Sequence, residues 1–199
     1  MKLNHSQYFL ILLTLVASAY TLVAIGKWWL ADKSFAQGKG LADAGYVSDA
    51  LPKLQTAIKL MPREPLFHDG LSDTATKIAF GLSQQQATDS ARQAAELAIA
   101  ESNLTLKLNP VHLNFWKTRI RMWLILAQLD PNLYTQALGD LQHALSLHPT
   151  DAKLMYNLGA LQLELKQVET ARQTLQATLD LKPDYAAARQ ALDQLKSNY

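Results

Sequence analysis

The sequence predicts an all-α chain: a right-handed α-solenoid of about four helical hairpins plus a C-terminal capping helix, preceded by one transmembrane helix. Three observations predict it. A 19-residue run near the N-terminus, Tyr8 to Gly26, contains no charge. Farther on, four short segments that each end in proline match one another. No β-branched alternation of useful length occurs, so strands are not expected.

The first element is the run YFLILLTLVASAYTLVAIG, flanked by Lys2 and His5 before it and by Lys27, Trp28 and Trp29 after it. As a helix it is roughly 28 Å long, close to the ~30 Å hydrocarbon core of a bilayer. Tryptophans and a lysine at its end suit a membrane interface. Only Thr14, Ser18 and Thr21 are available to make a polar stripe, which argues against a buried core helix. The competing reading is a cleavable signal peptide, since Ala17-Ser18-Ala19 has the small-x-small pattern of a cleavage site. The apolar run continues seven residues past Ala19, which favours an uncleaved anchor over residues 1–27. Lysines 27, 33 and 39 bias the following part weakly toward the cytoplasm, but a large domain can be exported despite such a bias.

The matching segments are IKLMP at 58–62, LKLNP at 106–110, LSLHP at 145–149 and LDLKP at 179–183. Their prolines are 48, 39 and 34 residues apart. Each proline marks the end of an amphipathic helix, because proline cannot continue one and biases its predecessor out of the α region. The interval of 34 equals the period of tetratricopeptide repeats. The segment from YNLG at 156–159 through ETARQTLQATLDLKP at 169–183 resembles that family closely, with Met155, Leu158, Gly159, Ala171 and Leu175 at its packing positions. Small residues at 159 and 171 lie where two antiparallel helices approach most closely.

The other units resemble it with insertions. The reading gives repeat one as 28–62, an extended repeat two as 63–110, repeat three as 111–149, repeat four as 150–183, and a cap at 184–199. In repeat one, Ala50, Leu54 and Ala57 take packing positions. Pro52 is tolerable if Ser48 caps, which would leave the proline in the first turn. Repeat two keeps Leu71 but has Ser72 where glycine is usual. Repeat three has Trp116 and Trp123 in its first helix and Ala137, Leu141 and Ala144 in its second, with five extra residues in the turn LDPNLY. The first helix of repeat one follows the apolar run without an intervening proline, so one long helix is expected.

Composition excludes several function classes. With 19 basic and 17 acidic side chains the net charge is +2, too little to argue for nucleic-acid binding. The chain has no cysteine, which removes disulfides, thiolate metal sites and cysteine nucleophiles. No phosphate-cradling glycine loop or nucleophile elbow occurs. The five histidines lack metal-ligand spacing, so no metal or other cofactor is expected. His68-Asp69 beside Asp73 reads as a solvated helix face rather than a catalytic pair. No enzyme is expected.

The resemblance implies that the first helices line a concave groove that binds a protein or peptide. Its contact positions fall on Asp69, Asp73 and Lys77 in repeat two, on Asn114, Lys117 and Arg121 in repeat three, and on Lys153, Tyr156 and Glu164 in repeat four. Between Glu101 and Asp130 there is no acidic residue, while Lys107, Lys117, Arg119 and Arg121 contribute +4. Lys117 and Arg121 share a helix face, a seat for a carboxylate or phosphate, competing with the reading of ordinary solvated charges. Their joint replacement by glutamate is expected to abolish partner capture and leave the melting curve nearly unchanged. Arg119 stands where the family usually has leucine, so either the register shifts or a paired arginine reaches into the array. Lys153 and Asn157 match part of the carboxylate clamp of some tetratricopeptide co-chaperones, but Thr118 replaces an asparagine.

A wider resemblance, over REPLFHDGLS (63–72), NPVHLNFWKTRIR (109–121) and HPTDAKLMYNLG (148–159), is to the tetratricopeptide tail of O-antigen ligase or polymerase-like membrane proteins. It implies a membrane-anchored scaffold in an envelope or polysaccharide-assembly complex. The alternative it implies is an accessory module that contacts glycan or lipid-linked glycan through Trp116, Trp123, Tyr156 and the basic stretch.

Overall fold

The computed structural model describes residues 4–198, which leaves Lys2 outside the described residues. They form nine α-helices in chain order: α1 (His5–Asp43), α2 (Val47–Leu60), α3 (Pro65–Gln84), α4 (Thr88–Leu108), α5 (Leu113–Leu126), α6 (Tyr134–Leu147), α7 (Ala152–Glu164), α8 (Val168–Leu181) and α9 (Ala186–Asn198). No strand occurs among the described residues. Helices α1 with α2, α3 with α4, α5 with α6, and α7 with α8 make four antiparallel hairpins, and α9 packs on α8.

Local chemistry explains the ends. A capping box opens α1: the Asn4 side chain accepts from Gln7 N at 2.9 Å and the Gln7 side chain accepts from Asn4 N at 2.9 Å. Asp151 caps α7 by accepting from Leu154 N at 3.0 Å. Three of the hairpins turn in one way. Gly45, Gln86 and Lys166 each adopt positive φ just past a first helix. The next residue's N–H then closes on the helix's last turn, as Tyr46 does to Leu41, Ala87 to Leu82 and Gln167 to Gln162. Repeat three replaces this turn with a 3₁₀ segment, Pro131–Leu133, begun by Asp130 accepting from Asn132 N.

One local expectation fails. Ser48 does not cap α2; the helix starts at Val47 after Tyr46, so Pro52 lies in the second turn and withholds a hydrogen bond there. The Pro52 carbonyl meanwhile accepts from the Thr56 hydroxyl at 2.7 Å.

The packing is small against large. Ala50, Leu54, Ala57, Ala137, Leu141, Ala144, Ala171 and Leu175 are fully buried, and Leu158 and Gly159 are buried beside them. A Cβ on Gly159 would stand 2.9 Å from Leu175 Cγ, so α7 and α8 touch nearly backbone to side chain. Gly38 does the same in repeat one, 2.8 Å from Leu54 Cγ. Gly38 lies twelve residues before Ala50, as Gly159 lies twelve before Ala171. That spacing is the signal in the sequence that identifies Gly38.

Repeat two uses polar groups where its neighbours use glycine and leucine. The buried Ser72 hydroxyl donates to the Ala98 carbonyl at 2.8 Å. His68 is buried, not on a solvated face, with its ring nitrogens against the Glu101 carboxylate and the Pro62 carbonyl. These contacts tie the start of α3 to α4 and to the preceding turn.

Helix α1 is continuous from His5 to Asp43. Its C-terminal part, with Ala31, Phe35, Gly38 and Ala42 buried, is the first helix of repeat one. Its N-terminal part meets nothing: its most apolar 18-residue window is 0% buried.

Candidate functional site

Helices α1, α3, α5 and α7 lie side by side and leave two recesses between them. The first, about 280 Å³, is walled by Phe35, Lys39 and Asp43 of α1, Leu66, Asp69 and Asp73 of α3, and Thr118 and Arg121 of α5. The second, about 220 Å³, is walled by Lys117, Ile120, Arg121 and Leu124 of α5 and by Lys153, Leu154 and Asn157 of α7. Arg121 borders both, so they are successive parts of one groove.

The expected site residues divide. Asp69, Asp73, Lys117, Arg121 and Lys153 line the groove. Lys77 reaches its rim, bridging Asp73 at 3.0 Å and Asp43 at 3.7 Å. Tyr156 is half-buried against Tyr185, ring centroids 5.1 Å apart, and supports the cap. Asn114 and Glu164 are exposed and line neither recess.

The basic stretch is not an open anion seat. Lys117 Nζ donates to Asp151 at 2.6 Å, Arg121 donates to Asp73 at 2.8 Å, and Arg119 Nε donates to Asp140 at 2.7 Å. Three of the four cations are therefore neutralised by carboxylates 21 to 48 residues away in sequence. Glutamates at 117 and 121 would face Asp151 and Asp73, so that double replacement disturbs inter-repeat packing as well as the surface. Arg119 is the paired arginine reaching inward: it also donates to Ser102 and Asn103 of α4, and its guanidinium lies 5.1 Å from the Trp123 ring centroid.

The tryptophans are structural. Trp123 is 5% exposed and its indole N–H donates to Asp140 at 2.7 Å. Trp116 donates to the Pro110 carbonyl and packs on His143. Neither presents a free face in the groove for a sugar ring.

The carboxyl groups of the groove and its edge differ in how they are held. Burial opposes ionisation of Asp73, but the hydrogen bond from Lys77 and the charge of Arg121 outweigh it and hold its carboxyl below the usual range. In Asp151 the same opposition is overcome by Lys117 and by the Leu154 N–H. Asp69 has only a long hydrogen bond, from the Thr118 hydroxyl at 3.3 Å. Burial, reinforced by the neighbouring charge of Asp73, pushes its carboxyl up from 3.8 to about 7.

The folded chain thus binds the Asp69 proton more tightly than the unfolded chain does, so stability falls as pH rises from about 4 to about 7. Asp69→Asn removes that loss. The variant is expected to match the parent near pH 4 and to exceed it above pH 7 by about 1–2 kcal/mol, discounted for solvent at the cavity mouth. Urea melts of the full chain in detergent at the two pH values check this; a constant difference between them would show that Asp69 ionises normally.

Comparison with known proteins agrees with the architecture. Residues 128–195 match the family model described as tetratricopeptide repeat. The PilF structure from Pseudomonas aeruginosa superimposes with a TM-score of 0.64 at 18% identity, covering 87% of this chain and 70% of that one. The fold is that of tetratricopeptide-repeat solenoids. MamA from Desulfovibrio magneticus RS-1 gives a TM-score of 0.58 at 20% identity, with 84% of each chain covered. A tetratricopeptide repeat protein from Parabacteroides merdae gives 0.63 at 18% identity, over 86% of this chain and 62% of that one. No curated protein matches the sequence. In this solenoid the groove is walled by the first helices of all four hairpins, with Asp69 in the recess between α1, α3 and α5.

Proposed function

We propose that this chain is a bilayer-tethered scaffold, not an enzyme, whose concave groove binds a protein or peptide partner that places a basic side chain against Asp69. The observation that carries the reading is the Asp69 recess. It combines a carboxylate held by one long hydrogen bond with apolar walls from Phe35 and Leu66. An aliphatic stem ending in a cation matches both features. The groove is walled by packed helices, so little ordering cost falls on the scaffold when it binds.

The tether is residues 8–26, whose apolar side chains find no cover in the folded chain. A span that length matches a bilayer core. An envelope or polysaccharide-assembly setting is supported by resemblance of sequence only. The direct glycan reading loses support, because its two tryptophans are committed to packing.

A photo-crosslinking residue at Asn157 in the groove, compared with one at the exposed Gln176 of α8, tests the partner site in intact membranes. A partner band is expected from position 157 and not from 176, and Asp69→Asn is expected to weaken it about tenfold, the loss of one desolvated charge pair. Equal bands from both positions, or a band indifferent to Asp69→Asn, would overturn the assignment.

A further inference from the structure

We propose that the end of the solenoid bearing the α2–α3 and α4–α5 turns, with Leu66 and Val111, lies against the lipid headgroups, so that the array is seated on the bilayer rather than hanging free from its tether. The inference rests on residues 8–26 being a membrane span.

Register along the helices carries it. Phe35 of α1 packs over Gly70 of the parallel helix α3, where an added Cβ would stand 2.6 Å from the ring. Four residues back along both helices, Leu66 is level with Ala31. Ala31 lies five residues past Gly26, so Leu66 stands about 7.5 Å beyond the end of the apolar span. The headgroup layer on each face of a bilayer is about 5–8 Å deep. Helix α5 is set against α3 by the Thr118–Asp69 and Arg121–Asp73 hydrogen bonds, with sequence offsets of 49 and 48. The same offsets place Val111 level with Pro62 and Arg63, nearer still to the span and at the height of Trp28.

Surface chemistry at this height fits a headgroup layer. Trp28 and Trp29 are each 55% exposed, Leu66 46% and Val111 66%. Six large apolar residues beyond α1 are exposed among those described: Tyr46, Leu66, Val111, Leu129, Leu147 and Leu181. Four of them, Leu66, Val111, Leu147 and Leu181, lie where second helices end and first helices begin. Only Tyr46 and Leu129 lie at the other end. Lys27, Lys33, Lys59 and Arg63 are at the same height, against Asp32 and Glu64, an excess of positive charge that suits anionic lipid.

The chain has no cysteine, so single-cysteine variants label cleanly. The test is the full chain in phosphatidylcholine–phosphatidylglycerol vesicles that contain a headgroup nitroxide lipid. A fluorophore is attached through Leu66→Cys or Val111→Cys, or through Gln85→Cys or Gln128→Cys at the far end. Position 85 is nineteen residues along from 66, about 28 Å higher. Quenching of about twofold or more is expected at 66 and 111 and none at 85 and 128, since the nitroxide stays in the headgroup layer. Vesicle flotation of the same samples reads the tether separately. Protein that floats without quenching at 66 and 111, or with equal quenching at both ends, overturns the seating while leaving the tether standing. Protein that does not float overturns the tether and the seating together.

Discussion

Asp140→Ala is expected to destabilise the solenoid by about 2–4 kcal/mol, more than any single change on its outer surface. Asp140 accepts from both Arg119 Nε and Trp123 Nε1 at 2.7 Å. The ion pair is largely covered, with side chains 16% and 20% exposed. Removing the acceptor strands a guanidinium and an indole N–H together, and each loses a hydrogen bond that water reaches poorly. Replacing both partners, as Arg119→Met with Asp140→Leu, leaves no uncompensated charge and is expected to restore most of the loss. Thermal and urea melts of the full chain in detergent measure both variants. If Asp140→Ala melts with the parent, the pair is only a surface contact. If the double variant is as unstable as the single one, the loss comes from packing and not from the stranded charge.

The second large effect is a contrast within one helix. Gly38→Ala is expected to destabilise by about 1–3 kcal/mol through overpacking, whereas Gly40→Ala, two residues on, is expected to stabilise by up to about 1 kcal/mol through helix propensity. A Cβ at 38 would meet Leu54 at Cγ, 2.8 Å, and at its backbone N, 3.1 Å. Neither atom is the free end of a flexible chain, and Leu54 is fully buried, so α2 itself must move. Nothing lies within 4 Å of a Cβ at 40. Both glycines have helical backbone, so the difference isolates the α1–α2 approach. Melting midpoints that rise for both substitutions would mean that the two helices separate freely there.

These predictions divide according to what can be read along the chain. Gly38 was legible in principle, because its twelve-residue spacing to Ala50 repeats that of Gly159 to Ala171. It was hidden by Gly40 two residues on and by a first helix whose other consensus positions hold Ser34, Gln37 and Leu41. The ends of α2, α4, α6 and α8 were legible from the four prolines, since proline stops a helix whatever surrounds it. Ser48 shows the limit of such local reading: a good capping residue sits two residues past Tyr46, after which α2 begins without a side-chain cap. The burial of His68 was not legible, since both of its partners, Glu101 and the Pro62 carbonyl, depend on how α3 meets its neighbours.

The groove shows the same division more sharply. That Lys117 and Arg121 share a face follows from their four-residue separation alone. That they are spoken for does not, because Asp151 and Asp73 come from the flanking repeats. The excess of +4 counted between Glu101 and Asp130 was real in sequence, yet in space three of those cations meet carboxylates.

By itself, then, the sequence determined the helices, their hairpin pairing and the uncharged span from Tyr8 to Gly26, which returns as the unburied half of one continuous helix. Each of these depends on residues within one or two turns of each other, or on a period that repeats. Only the tertiary structure decided which charges stay available. Ion pairing within and between repeats depends on distances of a few ångströms between residues 21 to 48 apart in the chain. It neutralised the Lys117 and Arg121 charges that line the groove and left Asp69, which pattern alone did not distinguish from Asp73, with one long hydrogen bond.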